Sequence, residues 1–184
     1  MADLELRDAV PTELDMMTAY RILRLRVDVF VVEQECPYPE LDGRDLEPGA
    51  RWVWAESQEA ESGEAEFGKA ESAKARSRTE VTGTLRILRE PGGTVRIGRV
   101  VTSKAARSSG VGALLMNRAL ELVGPGVPLA LDAQAHLEGW YARFGFARCG
   151  DTFLEDGIPH VPMRTGPART ELGTVPELQL NGNQ

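Results

Sequence analysis

In the run Arg107-Ser108-Ser109-Gly110-Val111-Gly112, two glycines one residue apart follow an arginine and open what reads as a helix. Glycine lets a ligand approach the backbone closely, and the first-turn N–H groups of a helix have no intrahelical partners. Free amides and the positive end of the helix dipole favour an anion there, and Arg107 and Lys104 add formal charge at the same mouth. A diphosphate fits such a mouth. The plainer reading is that the glycines shorten a connection and Ser109 caps the helix. The setting favours the ligand, because the turn follows the carboxyl end of a strand, where open α/β sheets bind theirs.

Two elements must hold that turn. Over 95–102 a β-branched run predicts a largely buried strand, with Val95, Ile97, Arg99 and Val101 on one face. Over 111–123, Val111, Leu114, Leu115, Ala119, Leu122 and Val123 recur at the helical period, with Asn117, Arg118 and Glu121 outward. Gly124-Pro125-Gly126 stops this helix, and 128–134 forms the next strand with Leu129 and Leu131 facing one way. Strand, helix and strand in that order imply a parallel pair joined by a right-handed crossover.

Upstream, Leu4 and Leu6 alternate in a first strand, and Pro11 with Thr12 signals a helix reaching Val32, with a break expected near 18–21. From Glu33 the helical pattern gives way to a carboxylate-dense loop in which Pro37 and Pro39 forbid helix. Asp42 and Asp45 in this loop read as solvated. Segments 52–56 and 81–89 read as a hairpin. Between them, 57–79 is almost entirely Glu, Ala, Ser, Lys, Arg and Gly with one aromatic, Phe67. It reads as a mobile insertion that cannot bury enough apolar surface to offset its ordering entropy, a short helix being the alternative. Downstream, 137–144 is a short helix carrying Trp140, Tyr141 and Phe144 and ended by Gly145. Segments 146–153 and 160–164 then close an antiparallel pair around Glu155-Asp156-Gly157. From Gly166 onward the chain reads as a frayed tail.

The length suits a single domain over 1–165 with a tail over 166–184. A formal charge of −7 argues against nucleic acid or an anionic membrane as partner and is compatible with a cationic substrate. No apolar run has membrane-spanning length and no leader pattern opens the chain, so a cytoplasmic location is expected. Cys36 and Cys149 have no ligand-spaced neighbours, so reduced thiols and no metal are expected.

These residues, in this order, resemble the GNAT superfamily of N-acetyltransferases, which move the acetyl group of acetyl-CoA to an amine. The resemblance covers most of 4–164. Arg107 to Gly112 matches the (Gln/Arg)-x-x-Gly-x-(Gly/Ala) pyrophosphate loop, and Trp140-Tyr141-x-x-Phe144-Gly145-Phe146 and Gly83-Thr84-Leu85-Arg86 add to the match. More narrowly, Arg26-x-x-Val29-Phe30-Val31-Val32-Glu33-Gln34-x-Cys36-Pro37-Tyr38, Ile97-Gly98-Arg99-Val100, Ala133-Gln134-Ala135-His136 and Asp156-Gly157-Ile158-Pro159-His160 resemble the ElaA-like branch. The insertion over 57–79 and the tail depart from that pattern, and Gln134 stands where many relatives place Asn. The resemblance implies an α/β (α+β) fold: a mixed, mostly antiparallel twisted sheet of about six to seven strands. It would hold a central, splayed parallel pair, with helices on both faces.

The resemblance also implies roles. Arg107, Ser108, Ser109, Gly110, Val111 and Gly112 would hold the diphosphate of acetyl-CoA, and the backbone of Val100, Val101 and Thr102 would pair with the pantetheine arm like an added strand. Gln134 would bond the arm from the facing strand. Tyr141 would stand beside the sulfur, where a phenol of ordinary pKa about 10 keeps its proton until a departing thiolate needs it. A core tyrosine with a satisfied hydroxyl is the alternative. The acceptor would be a small-molecule or peptide amine. Freeing a lysine-like amine of its proton at pH 7 costs about 3.4 pKa units, roughly 4.6 kcal/mol. Glu33, Glu138 and His160 are the candidate proton acceptors, Glu33 first because it lies where the helix meets the acidic loop. Two rival functions stand beside this one. Arg26-x-x-Val29-Phe30, Glu40-x-Asp42-x-x-Asp45 and Gly83-x-x-Arg86 also look like acyl-homoserine-lactone synthases, and a noncatalytic CoA-binding domain would share the loop. The oligomeric state is open, a homodimer included.

Overall fold

The computed structural model describes residues 4–59 and 78–166. Most of the expected insertion and all of the tail beyond Gly166 lie outside the described residues. Eight strands make one sheet: β1 (Leu4–Ala9), β2 (Arg51–Glu59), β3 (Arg78–Arg89), β4 (Val95–Thr102), β5 (Leu129–Gln134), β6 (Phe146–Arg148), β7 (Phe153–Glu155) and β8 (Ile158–Thr165). Their order is β1-β2-β3-β4-β5-β8-β6, with β7 also on β8, and β4–β5 is the parallel pair among antiparallel neighbours. The hairpin strands are longer than expected, since β2 runs to Glu59 and β3 starts at Arg78. The closing strand over 146–153 is two strands instead of one: β6 pairs with Met163–Thr165 and β7 with Ile158–His160. Antiparallel β7 and β8 turn at Asp156 and Gly157, both with positive φ.

Among the described residues three α-helices flank the sheet: α1 (Met16–Arg26), α2 (Val111–Val123) and α3 (Glu138–Ala142). Pro11 opens a separate 3₁₀ turn, and α1 begins at Asp15, whose carboxylate accepts from the N–H groups of Met17 (2.9 Å) and Thr18 (3.0 Å). The expected break near 18–21 therefore falls earlier, where this side chain satisfies first-turn donors. The helix then widens into a π-helix over Val27–Glu33, a form that tends to occur at functional sites.

The sheet separates two cores. Val53, Leu85, Ile97, Leu115, Met116, Leu131, Tyr141 and Met163 pack between the sheet and α2 and α3. Ile22, Leu25, Val29, Trp52, Trp54, Val81 and Val101 pack under α1. Helix α2 buries Met116, whereas Leu114, assigned to its apolar face by periodicity, is 44% exposed. Strand β4 corrects a second expectation: Val95 and Ile97 face α2, but Val101 faces α1. The reason is a bulge. Thr84 pairs with Val101 and Arg86 with Gly98, so Leu85 alone opposes Arg99 and Val100, and the extra residue reverses the alternation.

Candidate active site

The turn between β4 and α2 keeps its donors open. Gly110 caps α2 with φ +90° and no side-chain bond, while the Ser109 hydroxyl donates back to the Ala106 carbonyl, so Ser109 is not the cap. Ser108 is also left-handed, at φ +63°, and a curl of this kind makes an anion-binding concavity. The N–H groups of Gly110, Val111 and Gly112 find no partner among the described residues. Gly112 has a packing reason as well, because a Cβ there would lie 3.3 Å from the Trp140 ring. Arg107 does not point into free space: its Nη1 and Nη2 donate to the two carboxylate oxygens of Glu33 at 2.5 and 2.7 Å.

Beside this mouth the parallel pair comes apart. Strands β4 and β5 pair only at Val95 with Leu129 and Arg96 with Ala130, and beyond that point Ile97–Thr102 have no β5 partner. The stretch Val100, Val101 and Thr102 thus runs along one side of the splay, and Gln134 ends the strand on the other side. Gln134 Nε2 donates to Gln34 Oε1 at 3.2 Å, which brings the residue after the π-helix across the opening.

Tyr141 comes from α3 and is 6% exposed, edge-on to Trp140 at 4.7 Å. Burial pushes its phenol well above the usual value, and its hydroxyl has no hydrogen-bond partner among the described residues. His160 pairs with Gln134 across β5 and β8, which places both side chains on the face opposite α2. Its Nδ1 lies 2.9 Å from the Ile158 carbonyl, an atom that can only accept. The proton of neutral His160 is therefore on Nδ1, and Nε2 keeps a lone pair. Glu33 and Glu138 are both engaged: hydrogen bonds from Arg107 and from Arg148, respectively, hold their carboxyls below the usual range. Gln134 and His160 are neighbours on one face of the sheet, Tyr141 packs in the core on the other with α2, and Glu138 is tied to Arg148 at 2.7 Å.

The acidic loop is solvated only in part: Asp42 stays at an exposed position, as expected, whereas Asp45 does not. Glu40 and Asp45 are buried, and with Asp42 they face Arg26, Arg86 and Arg99. Arg26, 1% exposed at the end of α1, donates to Glu40 and Asp45 and lies over the Trp52 ring. Arg86 forks onto Asp42 at 2.7 and 2.8 Å, and Trp52 Nε1 donates to Asp45 at 3.0 Å. Burial works to raise Asp42 and Asp45, but the hydrogen bonds and charges of these arginines hold both below the usual carboxylate range. Three cations thus neutralise three anions, and the loop is no magnet for a cation. Arg99 and Gln34 carried no signal of these contacts beyond standing inside the ElaA-like motifs. Arg26 and Arg86 were visible only as motif members. Arg99 sits at φ +53°, a left-handed conformation that costs a non-glycine residue on the order of 1–3 kcal/mol.

Among the described residues there is no group of side chains arranged to hold a metal, and no helix is long and apolar enough to cross a membrane. The model of the acetyltransferase (GNAT) domain matches residues 43–166. A UPF0039 protein of Mycobacterium tuberculosis is 45% identical over 170 residues, covering 90% of this chain and 96% of that protein. ElaA of Escherichia coli is 36% identical over 168 residues, covering 87% and 95%. The crystal structure of an acyl-CoA N-acyltransferase from Pseudomonas aeruginosa superimposes with a TM-score of 0.72 at 36% identity, over 89% of this chain and all of that one. With an open-amide mouth at a splayed parallel pair and identity of this extent along nearly its whole length, the chain belongs to the GNAT acetyltransferases, in the branch of ElaA.

Proposed function

We propose that a single domain over 1–165 transfers the acetyl group of acetyl-CoA directly to a primary amine. Acetyl-CoA supplies the activated acetyl group as a thioester. The amides of Gly110, Val111 and Gly112 receive its diphosphate, helped by Arg107, Ser108 and Ser109, and the β4 edge at Val100, Val101 and Thr102 pairs with the pantetheine arm. Gln134 lines the arm from β5. As the carbon–nitrogen bond forms and the carbon–sulfur bond breaks, Tyr141 donates its O–H to the sulfur that leaves with the bonding pair. The amine gives up a proton to His160 Nε2, directly or through a water. His160 is preferred to Glu33 because Glu33 is bound to Arg107.

The single observation that carries this reading is the splay of β4 from β5 beside the open amides of Gly110–Gly112, which leaves a strand edge and an anion mouth side by side for one ligand. The acceptor is an amine of small molecule or peptide, and its charge is not read by Asp42 or Asp45, which already face arginines. Against the acyl-homoserine-lactone synthase reading stands the open diphosphate mouth, which favours CoA over a carrier-protein donor.

Titration calorimetry with acetyl-CoA, followed by thiol-release assays across polyamines, amino acids and peptides, tests the proposal. Binding with turnover of an amine is expected, and Tyr141→Phe should lower kcat at least tenfold with nearly unchanged acetyl-CoA affinity. Binding without turnover of any amine would leave the noncatalytic CoA-binding domain, and no binding would remove the cofactor assignment itself.

A further inference from the structure

Arg99 is the one non-glycine residue with a left-handed backbone within the described strands, and it has an anchor. It is the inserted residue of the β4 bulge, left-handed at φ +53° in mid-strand. Its Nη2 donates to Asp42 at 3.1 Å and to the Glu40 carbonyl at 3.3 Å, while its Nε lies 2.8 Å from the Glu40 carboxylate as a charge contact without hydrogen-bond geometry. Its guanidinium stacks over Tyr38 at 5.4 Å, and the Tyr38 hydroxyl in turn donates to Glu40. Those anchors are themselves fixed, Glu40 by Arg26 of α1 and Asp42 by Arg86 of β3. The bulge therefore hangs from two separate elements through one side chain.

We propose that Arg99 is the positioning residue of the acyl-donor site. Clamped by Glu40 and Asp42, it holds the β4 bulge so that Val100, Val101 and Thr102 present their backbone to the splay at a fixed register. This rests on the acetyl-CoA reading above. The bulge decides which face each following residue takes: it turns Val101 under α1 and Val100 toward α2. A free bulge would let the edge slip, and a one-residue slip exchanges the two faces.

Arg99→Gly separates the backbone from the clamp, because glycine adopts the left-handed conformation freely yet has no side chain to anchor. Arg99→Lys keeps the charge but not the planar guanidinium that reaches Asp42 and the Glu40 carbonyl while lying over Tyr38. Arg99→Gln serves if the glycine variant fails to fold, as judged by circular dichroism. In the ligand-free protein, ¹⁵N relaxation should show Gly98–Thr102 loosened in Arg99→Gly and Arg99→Gln, and less so in Arg99→Lys. Calorimetry should show acetyl-CoA binding weakened at least tenfold in the first two and by less in the third. Wild-type order across Gly98–Thr102 in a folded Arg99→Gly or Arg99→Gln overturns the proposal, and so does wild-type affinity. If the wild-type protein itself does not bind acetyl-CoA, the cofactor reading fails and takes the donor-site role with it. The relaxation data then still decide whether Arg99 orders the strand.

Discussion

Glu33 and Arg107 hold one another at the mouth that the cofactor reading needs open. The pair is exposed on both sides, 41% and 40%, so its strength is modest and screened by solvent. An incoming diphosphate competes with Glu33 for the same guanidinium. Glu33→Gln should therefore release Arg107 and remove a negative charge beside the anion site, tightening acetyl-CoA binding a few-fold in calorimetry. The same variant separates the two proton acceptors. With His160 Nε2 taking the proton, kcat stays near wild type, whereas a large fall in kcat would restore Glu33 to that role. Weaker binding by Glu33→Gln would show that the pair supports the mouth instead of occupying it.

Elements set how closely the mouth can approach the sheet, and Gly83 shows the limit. A Cβ at this β3 position would stand 2.8 Å from Val111 Cγ1, 3.0 Å from Leu115 Cδ1 and 3.2 Å from Thr102 Cγ2. Gly83→Ala should push the first turn of α2 off the sheet, costing about 1–3 kcal/mol by overpacking. Thermal denaturation reads that cost, and calorimetry should show weaker acetyl-CoA binding, because the open amides of Gly110–Gly112 move with the turn. Unchanged stability would mean that the contact relaxes without effect. Gly83 was visible in the sequence as part of a motif, but its reason was not, since only the packed helix supplies the atoms it must avoid. Helix α2 and the parallel pair were legible because their periods and stops are local. The β4 bulge was not: nothing in a β-branched run announces that an arginine will turn left-handed, so strict alternation put Arg99 and Val101 on the face of Val95. The buried ion pairs were illegible for the opposite reason. Carboxylates default to solvent, and the arginines that pair with Glu40 stand 14 and 59 positions away.

Across the whole molecule, the arginine–carboxylate cluster joins α1, the acidic loop, β2, β3 and β4 on one side of the sheet. Such a cluster contributes little net stability compared with apolar packing, but removing one member leaves a buried charge uncompensated, at about 3–5 kcal/mol. Arg26→Met should show that loss at neutral pH, since Asp45 and Glu40 lose their buried partner. Acid should then narrow the gap. Asp42 and Asp45 have folded values held below the ordinary carboxylate value. Their pairing therefore stabilises the protein fully above the unfolded value of about 3.9 and ceases to do so as the pH falls through the folded value. Wild-type stability should hold from neutrality to about pH 5 and decline below about pH 4. In Arg26→Met the folded Asp45 value rises, because its strongest nearby cation is gone, so protonation begins at higher pH and relieves the buried charge. Urea denaturation of both proteins between pH 7 and pH 3 measures the difference. A gap that stays constant across that range would mean that Arg26 acts through its packing over Trp52 and not through its charge.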